Sequence, residues 1–207
     1  MTFYTFLDYG SVLVFALTGS LVASRAQLDL VGFFFFACIT AVGGGTTRDV
    51  LLDRHPVFWI ETSSYLVIAC IAAVLVFVTA HLIESRYKWL LWLDAVALAI
   101  AVAAGSGVTQ SLGHDPVIVV VMGVVTGTMG GLIRDVVSNE VPLMLNRGEL
   151  YVTCAFAGSV ATVVASQYGI SSSIGAIACA AVVFTLRAGS MVFGWRLPVY
   201  KSRPPKV

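Results

Sequence analysis

Two adjacent charged pairs, Arg48-Asp49 and Arg134-Asp135, interrupt stretches that are otherwise apolar or glycine-rich. Each pair follows a glycine run. Gly43-Gly44-Gly45-Thr46-Thr47-Arg48-Asp49-Val50 recurs as Met129-Gly130-Gly131-Leu132-Ile133-Arg134-Asp135-Val136, 86 residues later. At the same offset Asp8 falls on Asp94, Gly19 on Gly105, Asp29 on Asp115, Pro56 on Pro142 and Tyr65 on Tyr151. One unit therefore occurs twice, and each copy carries a glycine break and a charged pair. Arginine or aspartate at mid-bilayer costs about 2.5–3.5 kcal/mol on insertion scales, so such residues in an apolar chain mark candidate ion or substrate paths.

The elements that must position them follow from composition. The chain has 207 residues, 58% hydrophobic and only 11% charged, with mean hydropathy +0.93. A soluble domain averages about a quarter charged residues. A bilayer core about 30 Å thick calls for about 20 apolar residues per helix, and the long apolar runs supply seven such spans: 4–24, 29–52, 57–82, 88–109, 115–138, 143–166 and 172–194. The expected fold is all-α and integral to the membrane. These runs are continuously apolar and about twice the length of a barrel strand, which disfavours a β-barrel. With no basic residue before the first apolar run, a cleavable signal peptide is not expected.

Repeat one covers 4–83 and repeat two 88–167, followed by a seventh helix at 172–194 and a tail at 195–207, all within one transmembrane domain. Three spans per repeat is an odd number, so the second copy enters the membrane from the opposite side. The result is an inverted repeat, and in transporter folds of this kind the site lies at the repeat interface near mid-membrane. Glycine-interrupted spans in corresponding positions point to it, here the second and fifth.

Three consecutive glycines cost roughly 1 kcal/mol each relative to alanine in a helix. Two readings stay open: close helix packing of the small-xxx-small kind, or a kinked or unwound segment at Gly43, Gly44, Gly45 and at Gly130, Gly131. Met129 in place of a third glycine predicts a shallower kink in the fifth span. Neighbours along a helix do not face each other, so Arg48 and Asp49, like Arg134 and Asp135, are expected to seek partners on other helices, headgroups or water. Arg48 lies about 28 Å along a straight helix from Asp29, near an interface; a kink would hold it deeper, beside water. Asp8 and Asp94 read either as carboxylates near helix N-termini or as acidic mouths of a cation path.

Asp29 and Asp115 are expected N-caps, with Pro116 at the first helical position. Pro56 and Pro142 are expected to start the third and sixth spans, and Trp59, Trp89, Trp92 and Trp195 read as interfacial anchors. Cys38, Cys70, Cys154 and Cys179 read as buried inert thiols, and the three scattered histidines form no metal-ligand pattern. Arg25, Arg86, Lys88, Arg134, Arg147, Arg196, Lys201, Arg203 and Lys206 fall on one side, against Arg48 and Arg54 on the other. The excess of basic residues places the N-terminus outside and the C-terminus in the cytoplasm. No enzyme signature, phosphate-binding loop or Thr-Val-Gly-Tyr-Gly filter is present, and no cofactor, resident metal or nucleic-acid partner is expected.

With the doubled Gly-Gly-x-x-Arg-Asp-Val motif and its seven spans, the chain resembles the prokaryotic TRIC family of trimeric intracellular cation channels, whose bacterial relatives are also catalogued as a possible glycine transporter. That resemblance covers nearly the whole chain. It implies a homotrimer in the membrane lipids of the cell, with a pore in each protomer lined by the two glycine-kinked spans and passing K⁺ and also Na⁺. Gating candidates are then Arg48, Asp49, Arg134, Asp135, Asp8 and Asp94. Animal relatives have Lys-Glu-Val where this chain has Arg134-Asp135-Val136, so their phosphoinositide binding does not carry over. A secondary transporter for a small solute such as glycine is the alternative.

Overall fold

A computed structural model of the chain describes residues 3–82, 85–146 and 149–198. Arg147 and the basic tail residues Lys201, Arg203 and Lys206 lie outside them. All regular elements among the described residues are helical: α1 (Phe3–Arg25), α2 (Leu30–Leu51), the short α3 (Phe58–Glu61), α4 (Ser64–Thr79), α5 (Arg86–Ser111), α6 (Pro116–Val137), α7 (Tyr151–Gln167) and α8 (Ser172–Phe193). Single 3-10 turns follow α4 at Ala80–Leu82 and precede α7 at Leu143–Leu145. Helices are what an apolar solvent permits, because each satisfies its backbone donors and acceptors within itself. Six of these helices, counting α4 with the turn that extends it, are long and apolar enough to cross a membrane, and α7 is a shorter apolar helix.

The third and sixth spans are shorter than the expected 57–82 and 143–166, and neither starts at its proline. Pro56 and Pro142 lie instead in linkers, where α3 and the 143–145 turn intervene before α4 and α7 begin. The cause is a side chain. Asp49 Oδ2 accepts from the Phe58 amide and Asp135 Oδ2 from the Leu143 amide, each at 2.9 Å. Each linker is thereby pinned to the end of the preceding helix rather than running on as a straight span.

Packing reproduces the repeat. α1, α2 and α4 pack on one another, as do α5, α6 and α7; α1 meets α5 and α2 meets α6 between the halves, while α8 packs on α5 and α7. Buried small residues on α5, among them Ala97, Ala101, Ala103 and Ala104, let neighbours approach closely, as expected where packing rather than water-driven burial holds helices together. Large apolar side chains on the outer face of α4 (Val67, Ile71, Leu75, Val78) are exposed, as a lipid-facing surface requires.

Helix entry is uneven. Asp29 accepts from the Gly32 amide at 2.9 Å, the expected N-cap. Asp115 makes no side-chain cap bond, and Pro116 simply occupies the first turn. We therefore expect Asp29→Ala to lower stability in detergent by about 1 kcal/mol and Asp115→Ala to leave the unfolding midpoint almost unchanged. Equal losses in the two variants would contradict this assignment.

Candidate functional site: two mirrored ion clusters about a glycine crossing

The charged motif residues are buried deep in the bundle. Arg48, Asp49 and Arg134 are shielded completely, and Asp135 and Asp94 almost so. Arg48 Nε donates to Asp49 Oδ1 at 2.8 Å and its Nη1 to Asp8 Oδ1 at 2.9 Å. The second copy repeats this atom for atom: Arg134 Nε to Asp135 Oδ1 at 2.8 Å and Nη1 to Asp94 Oδ1 at 2.9 Å. Adjacent arginine and aspartate thus do pair, contrary to the expectation from helix geometry. The arginine stem is long enough to fold back so that its Nε reaches the neighbouring carboxylate, while the far end of the fork crosses to α1 or α5.

Asp8 and Asp94 are thus ion-pair partners on neighbouring helices, not solitary carboxylates. Asp8 also stands at an opening. A cavity of about 420 Å³ is lined by Tyr4, Thr5, Asp8, Arg54, Ser111 and Ser172 among others. Beneath it a much smaller void of about 10 Å³, bounded by Asp8, Ser11, Gly44, Phe58 and Thr126, continues toward the α2–α6 contact. That is about the space of a single water. Arg54 Nη1 approaches Asp49 Oδ1 at 3.5 Å, so the cluster on this face has a second cation within reach. On the other face Arg134 Nη1 also donates to Thr18 Oγ1 at 3.0 Å. Nη2 of both Arg48 and Arg134 has no acceptor among the described residues.

The glycines lie between the two clusters. α2 and α6 are continuous helices through Gly43–Gly45 and through Gly130–Gly131, so no unwound segment separates the charged pairs from the rest of their spans. What the glycines provide is approach. A Cβ on Gly44 would collide with the carbonyl oxygen of Thr126, and one on Gly130 would lie 2.6 Å from the carbonyl oxygen of Thr40. Thr40 and Thr126 are themselves 86 residues apart. These contacts are therefore reciprocal and define a pseudo-two-fold axis through the crossing, as isologous contacts must.

Thr40 and Thr126 also touch Gly19 and Gly105 in matching fashion. Their hydroxyls bond back to the Phe36 and Met122 carbonyls at 2.6 and 2.7 Å, a pattern that weakens and bends helices. Neither threonine is marked by charge or glycine content; the shared 86-residue offset is the signal that identifies them. Gly131 differs: a Cβ there would meet nothing closer than 3.4 Å.

The halves are not identical. Near the second cluster, Arg187 of α8 is buried, pairs with Glu149 at 2.8 Å and sits 5.1 Å from the Tyr151 ring centroid. In the first half Tyr65 instead stacks on Tyr9. Trp59 is a tether, since its indole N–H donates to Thr46 Oγ1 at 2.9 Å. Cys154 and Cys179 are buried, whereas Cys38 and Cys70 are only partly so.

Fold and site together define a multi-pass helical membrane protein, built as an inverted repeat with an ion-paired core on each side of a close helix crossing. The family described as "Glycine transporter" matches this chain twice, at residues 5–81 and 91–167, and the chain belongs to that family. It is 37% identical over 192 residues to the inner membrane protein YadS of Escherichia coli K12, covering 92% of each chain. Among solved structures it is similar to the TRIC trimeric intracellular cation channel orthologue from Rhodobacter sphaeroides, with 41% identity and TM-score 0.90 over 94% of this chain and 100% of that one. A prokaryotic TRIC channel structure aligns at 26% identity and TM-score 0.86, covering 94% and 98%. The resemblance carried by the doubled motif and these likenesses point to the same family.

Proposed function

We propose that this protein is a monovalent cation channel passing K⁺ and also Na⁺, with a separate path in each protomer of a homotrimer, running past the α2–α6 crossing. The observation that carries the reading is the mirrored pair of buried clusters. Each sets one guanidinium against two carboxylates. The second cluster keeps a residual negative charge, while in the first Arg54 stands 3.5 Å from Asp49 as a second cation; carboxylates so placed attract cations, and low-dielectric walls strengthen that field. Asp8, beneath the 420 Å³ vestibule, is where an entering ion first meets it.

The void below Asp8 is too small for a hydrated ion, so the arrangement is a closed one and conduction requires α2 and α6 to part. Separation would leave the Thr40 and Thr126 carbonyls facing the gap from opposite sides. Carbonyl oxygens are the ligands that replace a permeant ion's water in other selective pores. Bending at the glycines, helped by the back-bonded threonines, is the motion we assign to opening. The Rhodobacter sphaeroides relative, named a trimeric intracellular cation channel, supports both the activity and the assembly. The excess of basic residues, Arg25, Arg86, Lys88 and Arg196 among those described, supports a cytoplasmic C-terminus.

The family's own description favours a second reading, a transporter for glycine, since an inverted repeat also suits alternating access. Recording from the purified protein in planar bilayers separates the two. Discrete K⁺ currents, far above transporter turnover, are expected. Silent bilayers together with saturable, gradient-driven glycine uptake into liposomes would overturn the channel reading. Light scattering of the detergent-solubilised protein checks the assembly, and a monomer mass would exclude the trimer.

A further inference from the structure

We infer a binding site for the phosphate group of an anionic phospholipid on the face where α8 ends. A cavity of about 460 Å³ lies there between the start of α5, the segment entering α7 and the end of α8, and none of the ion-cluster residues lines it. Its charged lining is Lys88, Arg187 and Arg196 against the single carboxylate of Glu149. Glu149 is already engaged, accepting from Arg187 Nη2 at 2.8 Å. Arg187 is nevertheless buried with its Nε lacking any acceptor among the described residues. The Arg187 charge is therefore only partly compensated from within, and a phosphate held at the mouth by the exposed Lys88 and Arg196 would balance it.

The chain builds this cavity rather than leaving a gap. Gly194 takes a left-handed φ of 68° and ends α8, turning the chain back on itself. Ser190 Oγ then donates to the Trp195 carbonyl at 3.3 Å, and the Trp195 ring stacks on Phe193. Gly189 makes room for that ring, because a Cβ there would stand 2.8 Å from it. Arg196 is thereby returned to the cavity mouth. Trp92 and Trp195 in the wall mark headgroup depth, where basic pockets between membrane helices hold anionic headgroups. A cavity of this volume accommodates a phosphoglycerol headgroup. Because α8 follows the two repeats and has no counterpart within them, the site belongs to one face only.

The test uses the full-length protein purified in neutral detergent, titrated with phosphatidylglycerol, phosphatidylcholine or inorganic phosphate while tryptophan emission and the unfolding midpoint are followed. Phosphatidylglycerol is expected to bind saturably and raise the midpoint, with phosphatidylcholine much weaker. Lys88→Gln with Arg196→Gln, two exposed positions that do not threaten the fold, should weaken binding by roughly thirtyfold, the effect of two interfacial cations. Arg25→Gln, which removes a cation from the same face outside the cavity, should leave binding unchanged. Inorganic phosphate matching the lipid at equal concentration would assign the site to a free oxyanion rather than a lipid and overturn the lipid proposal. Equal affinity in the double variant, or no binding of either probe, would overturn the site itself.

Discussion

Arg134→Met is expected to be among the most damaging single substitutions in this protein, with a loss of about 3–5 kcal/mol, the cost of orphaning a buried charge partner. Arg134 alone bridges Asp94, Asp135 and Thr18. Its removal leaves two carboxylates in a region sealed from water, with the Leu143 amide still donating to Asp135. Arg134→Lys should fall between wild type and Met, because one ammonium cannot replace a planar fork aimed at two carboxylates. Adding Asp94→Leu to Arg134→Met should recover part of the loss, since it removes one of the two orphaned carboxylates and leaves only Asp135 without its cation.

The equivalent change in the first repeat, Arg48→Met, should cost less. The Asp8 side chain retains 10% exposure, against 1% for Asp94, and Arg54 stands 3.5 Å from Asp49 as a substitute cation. Denaturant titration in micelles measures all four variants. Arg134→Met within about 1 kcal/mol of wild type would refute the buried-cluster account, and equal losses at Arg48 and Arg134 would refute the asymmetry between faces.

Gly44→Ala is the second large effect, and it separates packing from propensity. In an ordinary helix the change would stabilise by roughly 1 kcal/mol. Here the new methyl meets the Thr126 carbonyl, a backbone atom that cannot rotate aside. The helices must move apart, at an overpacking cost of about 1–3 kcal/mol. Gly130→Ala meets the Thr40 carbonyl in the same way. Both variants should destabilise the closed crossing and raise channel open probability in bilayer recordings, because the substitution does the work that opening must do. Gly131→Ala is the control: its methyl makes only ordinary contacts, so its stability should match or exceed wild type and its gating should be little changed. Gly131→Ala as damaging as Gly44→Ala would sink the close-approach explanation.

These expectations show where sequence and structure part. The inverted architecture was legible because it rests on counting: an 86-residue offset and three apolar runs per copy, both one-dimensional properties. The ion clusters were half legible. Asp8 and Arg48 are 40 residues apart, as are Asp94 and Arg134, and opposite charges repeated at one spacing in an apolar chain must find each other. What could not be read was the fold-back of each arginine onto its own neighbour, which depends on side-chain reach and not on helical phase. The linkers escape a linear reading for a related reason: Pro56 and Pro142 carry the pattern of helix starts, but the Asp49 and Asp135 carboxylates capture amides farther along.

The glycine motif shows the division most clearly. Composition and residue order determined by themselves that these spans suit a membrane, that they come as an inverted pair, and that small residues and charges share one place in each. Whether glycine meant an unwound helix or a close contact was decided only in three dimensions. A missing side chain has no effect until another backbone occupies its space, and the carbonyls of Thr40 and Thr126 arrive there from the opposite repeat.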